Sequence, residues 1–131
     1  MGGVVLDSSV LLGLADPRDA LHHRAVEALR DRHGRDLIVP ASVFAEIMVG
    51  AIRFGEHAAK RVEAMVDDLA TEVYPINREV ARAAATIRAR RNSIRFPDAL
   101  VLATGAVLDA EVLTGDKRWR DEPGRVTVIG P

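Results

Sequence analysis

Four acids in this chain stand in or against apolar segments, and carboxylates rarely accept such places unless paired, hydrogen-bonded or bound to a cation. Asp7 closes the run Val4-Val5-Leu6, and Glu46 is the only charge between Val39 and Ile52. Asp98 opens the run Ala99-Leu100-Val101-Leu102-Ala103, and Asp116 follows Val112-Leu113-Thr114-Gly115. Singly, Asp7 and Asp116 also suit strand-end turns, and Asp98 a helix start that satisfies backbone donors. Together, spread over the whole chain, the four suggest one cation site assembled by folding. Carboxylates of this kind suit a hard divalent ion such as magnesium or manganese. A cation so held activates water and stabilises the oxygens of an in-line phosphoryl displacement. The chemistry this predicts is metal-dependent phosphodiester hydrolysis.

The elements that must position these acids follow from apolar periodicity and punctuation. Val4–Leu6 reads as a short buried strand. Asp16 and Pro17 predict the start of a helix with Leu21, Ala25, Ala28 and Leu29 as its stripe and Gly34 as its stop. Leu37–Val39 reads as the second strand, ended by Pro40, and Ser42 as the cap of a helix to about Phe54. A further helix is predicted over 56–69, and a third strand over 72–75. Asn77 then caps a helix with Val80, Ala84 and Ile87 on one face. Pro97 opens a helix running to Leu108, apolar on nearly every side and so buried. Residues 112–114 and 126–129 supply the last strands. Short apolar strands alternating with helices predict a single α/β domain over residues 1–131, a parallel sheet flanked by helices on both faces. In such sheets ligands collect beyond the carboxyl ends of the strands, where strand order reverses. Asp7 and Asp116 fall just past strand ends, so all four acids can share one rim.

Composition narrows the class. At 131 residues with a net charge of −1, the chain is of ordinary size for one globular domain and is neither strongly basic nor acidic. The absence of cysteine excludes disulfides, zinc–thiolate sites and thiol nucleophiles. No apolar run approaches the roughly 20 residues that span a bilayer. Met1-Gly2-Gly3-Val4 carries no basic leader pattern, so a cytoplasmic protein without membrane attachment is expected.

The motifs around the acids resemble those of PIN-domain ribonucleases, especially VapC-type toxins of type II toxin–antitoxin systems. Val5-Leu6-Asp7-Ser8-Ser9 looks like the opening motif and Ser42-Val43-Phe44-Ala45-Glu46 the second. Phe96-Pro97-Asp98-Ala99-Leu100-Val101-Leu102-Ala103 is similar to the third, and Leu113-Thr114-Gly115-Asp116-Lys117-Arg118-Trp119 to the fourth. The resemblance runs the length of the chain, in order. It implies a sheet of order 3-2-1-4-5, a Mg2+ (or Mn2+) cofactor, endoribonuclease activity on RNA and a homodimer. It further implies a cognate VapB-like antitoxin whose tail enters the cleft. By position, Asp7, Glu46, Asp98 and Asp116 match the family's metal-binding and catalytic acids. Ser9 and Thr114 match polar positions that support them. Many relatives carry another acid shortly after the last; here Lys117-Arg118-Trp119-Arg120 intervenes before Asp121 and Glu122, which favours one firmly held metal.

Other candidates have plainer readings. His22, His23, His33 and His57 lack ligand spacing and read as surface residues. Arg78 and Arg82 face solvent on their helix, whereas Arg91 continues the apolar line and can reach a phosphate, pair with an acid or extend past the helix end. Trp119 and Phe96 suit core or dimer packing better than base stacking. Asp67 and Asp68 read as a solvated pair. A non-catalytic PIN module binding RNA or a protein partner is the alternative, disfavoured because all four acids are present. A response-regulator receiver needs an aspartate ending a middle strand, which the third strand lacks. A haloacid-dehalogenase-like phosphatase needs one two residues after the first acid, where Ser9 stands.

Overall fold

A five-stranded parallel sheet of order β3-β2-β1-β4-β5 organises the chain. The structure, a computed structural model, describes residues 2–130. The strands are β1 (Val4–Leu6), β2 (Leu37–Pro40), β3 (Glu72–Tyr74), β4 (Glu111–Thr114) and β5 (Val126–Val128). The helices are α1 (Ser8–Ala15), α2 (His22–Asp31), α3 (Ala41–Phe54), α4 (Glu56–Leu69), α5 (Arg78–Arg90) and α6 (Phe96–Leu108). A single 3-10 turn covers Lys117–Trp119. The sequence of strands and their order are those expected from the motifs.

The central strand explains the layering. Successive strand residues point to opposite faces, yet Val4, Val5 and Leu6 are all fully buried, so both faces of β1 are covered by helices. Val5 pairs with Ile38 on one side and with Val112 on the other. α6 presses closely on β4: a Cβ built on Gly105 would stand 2.4 Å from Val112 Cγ2, so only glycine fits there. At Gly55, with φ 149°, the chain passes from α3 to α4 through one residue, a conformation that glycine alone adopts readily. Asn77 caps α5 as expected, its side chain accepting from Val80 N–H at 2.9 Å.

Two local expectations are corrected. The helix expected from Asp16 and Pro17 begins only at His22, and an unforeseen helix, α1, precedes it. α1 has eight residues and no side-chain cap, and it is apolar on most faces, so neither period nor cap marks it in the sequence. Asp16 and Asp19 instead hold the intervening turn, accepting from Arg18 N–H at 2.9 Å and Leu21 N–H at 2.8 Å. Ser42 does not cap α3: Pro40 occupies the cap position, and Ser42 lies inside the first turn with its Oγ buried and unpartnered. Of the two residues read as core or dimer packing, Trp119 is buried in the core, and Phe96 is 53% exposed in the isolated chain.

At the end of the sheet opposite the acids, Glu111 carries two arginines. Arg32 reaches it in a two-pronged pair at 2.9 and 2.8 Å, and Arg35 at 3.0 Å. Thr127 Oγ1 also donates to Glu111, while Arg32 and Arg35 extend to the carbonyls of Ala28 and Gly2. This knot joins α2, the start of β1, β4 and β5. The Arg32 guanidinium above all, set against partial burial, lowers the Glu111 pKa to about 2. A lowered carboxylate stabilises the fold above its ordinary range and loses that contribution as pH falls. Glu111→Gln is therefore expected to cost about 1.5–3 kcal/mol near neutrality. The difference in melting temperature between wild type and variant, followed from pH 6 down to pH 2, should shrink across that window.

Candidate active site

Asp7 ends β1 at the carboxyl rim of the sheet, where its N–H is held by Leu113 of the neighbouring β4 at 3.0 Å. It stands at the cap position of α1 with extended backbone, but its carboxylate makes no capping bond. Oδ2 instead accepts from the hydroxyls of Thr114 at 2.7 Å and Ser9 at 2.9 Å. Those hydroxyls are oriented in turn, because Asp116 N–H donates to Thr114 Oγ1 at 3.1 Å and Gly115 N–H to Ser9 Oγ at 2.9 Å. Thr114 is fully buried and Asp7 nearly so. The turn after β4 is thus sewn to the turn after β1 through one carboxylate oxygen. Gly115 packs closely in this seam: an added Cβ would stand 2.4 Å from Leu21 Cδ1, which would have to turn aside, and 3.3 Å from Ser9 Oγ.

The other acids approach from three further elements. Asp98 sits in the first turn of α6, half-buried, with Arg95 Nε 3.5 Å away. Burial foremost, and then Asp7 and Asp116, raise its pKa against the opposing pull of Arg95. Glu46 projects from α3, and desolvation followed by the charges of Asp7 and Asp98 raises its pKa too. Asp116 opens the 3-10 turn and is held by Arg118, whose hydrogen bonds lower its pKa. The four acids are therefore electrostatic neighbours, as their motifs predict. Among the described residues, however, no three histidine or acidic side chains converge closely enough to grip an ion as they stand.

The reason for singling out Glu46 needs correction. Its helix is apolar on both sides, but the outer face is not a core. Val49 is 48% exposed, Ile52 63% and Phe54 85%, and Glu46 itself is exposed. Its apolar neighbours mark an uncovered helix face rather than burial.

Two arginines join the site without a clear signal in the sequence. Arg118 pairs with Asp116 at 2.7 Å and Arg95 with Asp98 at 3.5 Å. The spacing Asp-x-Arg at 116–118 was a readable clue, since Asp16 and Arg18 form the same turn. Of the three outcomes open to Arg91, the pairing is the one realised: its guanidinium meets Glu122, whose side chain is almost fully buried. His23, His33 and His57 are exposed, while His22 is half-buried with Nδ1 2.8 Å from the Gly13 carbonyl. Asp67 and Asp68 are exposed, as expected.

A carboxyl whose pKa is raised on folding favours the fold at low pH, and that contribution is lost as pH rises through its raised value. Asp98 and Glu46 thus weaken the metal-free fold at neutrality. Removing the charge with Asp98→Asn is expected to stabilise chelator-treated protein by about 0.5 kcal/mol, roughly 2 °C in Tm, and Glu46→Gln to act in the same direction. Thermal melts at pH 7.5 and pH 4 check this, because the gain should vanish at the lower pH. An unchanged or lower Tm for Asp98→Asn at pH 7.5 contradicts it.

Comparison with known proteins matches this geometry to a family. The PIN domain family model matches residues 4–123. Comparison with curated proteins finds no match. Among solved structures, the chain is similar to a toxin–antitoxin complex from Klebsiella pneumoniae, with a TM-score of 0.80, 23% identity, and 97% of this chain and 98% of that one covered. It is also similar to FitAcB from Neisseria gonorrhoeae, with a TM-score of 0.79, 20% identity, and coverage of 96% and 97%. For VapC20 of Mycobacterium tuberculosis, a sarcin–ricin-loop-cleaving toxin, the TM-score is 0.75 at 18% identity, with coverage of 93% and 96%. These likenesses are of fold, and the family rests on the model match over nearly the whole chain. The protein belongs to the PIN domain family.

Proposed function

We propose that this PIN domain is a divalent-metal-dependent endoribonuclease and that it serves as the toxin of a VapBC-type pair. One observation carries the reading: four acids, at the end of β1, on α3, on α6 and in the turn after β4, feel one another's charge, and Asp7 and Asp116 stand just past the carboxyl ends of neighbouring parallel strands. An all-oxygen, partly desolvated set with unbalanced negative charge fits Mg2+ or Mn2+. Asp7, Asp98 and Asp116 would hold the ion, with Glu46 either completing the cluster or orienting the attacking water. The ion would supply Lewis-acid activation of the scissile phosphate and of water.

The chain's own residues supply the rest. Thr114 and Ser9 fix Oδ2 of Asp7 and leave Oδ1 without a hydrogen bond among the described residues. Glu46, with its raised pKa and exposed position, is placed to take a proton from water at the rim. Arg95, Lys117, Arg118 and Arg120 are exposed around the acids and offer charge to an RNA backbone. Glu122 is almost fully buried against Arg91, unlike the more accessible Asp116, which supports one firmly held metal.

The same proposal includes the partners. Leu12 of α1, Ile47 and Phe54 of α3, and Val62 and Met65 of α4 line a long apolar groove, open in the isolated chain. A VapB-like antitoxin is its proposed occupant, and several of the similar structures are toxin–antitoxin complexes. A homodimer and a cytoplasmic site of action complete the reading; no helix among the described residues is long and apolar enough to cross a membrane.

Purified protein incubated with RNA should cleave it in Mg2+ or Mn2+ and not in chelator. Asp7→Asn and Asp98→Asn should each lower the rate at least 100-fold. RNA bound but uncut at every metal concentration would establish instead the non-catalytic module. Thr114→Val, which frees the Asp7 carboxylate and strands Asp116 N–H, should cost about 10- to 100-fold in Mn2+ affinity or rate, with Thr114→Ser recovering most of it.

A further inference from the structure

Arg118 is bound to the acid cluster more completely than a surface arginine has cause to be. Its backbone N–H and Nε meet Asp116 Oδ1 at 2.9 and 3.0 Å, and Nε and Nη2 meet Oδ2 at 3.2 and 2.7 Å. A carboxylate offers about four acceptor positions, and three N–H groups of this one residue, with Nε shared between the two oxygens, occupy most of those on Asp116. The Arg118 side chain is nevertheless 74% exposed, and its guanidinium makes no other hydrogen bond among the described residues. Arg95 holds Asp98 more loosely, through a single 3.5 Å approach. Asp116 is therefore the proposed ligand least able to accept a cation as it stands, in keeping with the lack of a closed ligand set.

Arg118 also lines a crevice of about 140 Å³ beside the cluster, together with Asp98, Arg91, Ser93, Trp119 and Glu122. Within the crevice Arg91 is taken by Glu122, which leaves Arg118 as the arginine whose partner a metal would displace. Its release is local. The backbone bond from Arg118 N–H to Asp116, the Trp119 N–H bond to the Asp116 carbonyl and the buried Trp119 ring all hold the turn without the guanidinium. A guanidinium fork fits a phosphate as it fits a carboxylate.

We propose that Arg118 is an exchangeable counter-ion, closing Asp116 in the metal-free protein, yielding it to the divalent cation, and then binding an RNA phosphate at the crevice beside Asp98. The inference rests on the nuclease reading and names its substrate-positioning residue. Exchange makes metal and RNA binding cooperative, because the ion sets free the group that the phosphate needs. It also gives the resting site an internal cation, so that the acids do not face one another uncompensated.

Calorimetric titration with Mn2+, without RNA, separates this from a merely structural pair. R118Q should bind Mn2+ about 2- to 5-fold more tightly than wild type, the range expected for losing an exposed ion pair. K117Q removes the same charge from a neighbouring exposed side chain that pairs with no acid among the described residues, and should change Mn2+ affinity by less than half as much. At saturating Mn2+, R118Q should raise KM for RNA about 5- to 10-fold with a smaller change in kcat, and flatten the salt dependence of KM by about one phosphate contact. R118K should fall between wild type and R118Q in both measurements. Unchanged or weaker Mn2+ binding by R118Q overturns the exchange, as does an equal gain in K117Q or an unchanged KM. If wild type binds no Mn2+ at all, the nuclease reading itself fails and takes this inference with it.

Discussion

One carboxylate oxygen of Asp7 joins β1 to its neighbour β4 at the end of the sheet where the four acids gather. Oδ2 of Asp7 takes hydroxyl protons from Thr114, at the end of β4, and from Ser9, in the first turn of α1. Both hydroxyls are fixed by backbone N–H groups of the turn that carries Asp116. The position of one acid therefore sets that of another more than 100 residues away in sequence. A buried carboxylate without these donors would carry a desolvation cost of several kcal/mol. With them it becomes the rigid point from which the rim is built.

Charge is distributed unequally between the two ends of the sheet. At the amino end, Glu111 meets two arginines and a threonine, and the whole set is satisfied. At the carboxyl end, four acids meet two exposed arginines, and two of the acids have raised pKa values. The first arrangement is what stability alone selects. The second keeps acids where they repel one another and weaken the fold, the usual sign of groups retained for their chemistry.

The sheet and its order were legible because parallel strands buried on both faces leave short, nearly continuous apolar runs, and Val4–Leu6 and Val112–Leu113 are of that kind. Asp7 and Asp116 stood out for the same reason, as acids just past such runs, and Asp98 as the acid opening an apolar helix. α1 was hidden because it follows β1 with a single intervening residue, lacks a side-chain cap and presents apolar residues on most faces. The Ser42 cap failed because Pro40 already supplies the extended residue that a helix start requires. Glu46 was read correctly as unusual but for the wrong cause, because sequence cannot distinguish a helix buried in its own chain from one whose apolar face is open. Arg118 escaped notice because the Asp-x-Arg spacing that marks its turn is short and common, although Asp16 and Arg18 repeat it.

The strand pairing has a consequence for how the protein is made. β1 leaves the ribosome before the other four strands and lies at the centre of the sheet, but one of its two neighbours, β4, begins only at Glu111. Until that segment emerges, β1 has an open edge, and Asp7 lacks both the Thr114 hydroxyl and the nearby charge of Asp116. A nascent or truncated chain ending before Thr114 holds three of the four acids and none of the seam that orders them. Synthesis itself thus delays assembly of the acidic rim until β4 and the turn after it have been translated.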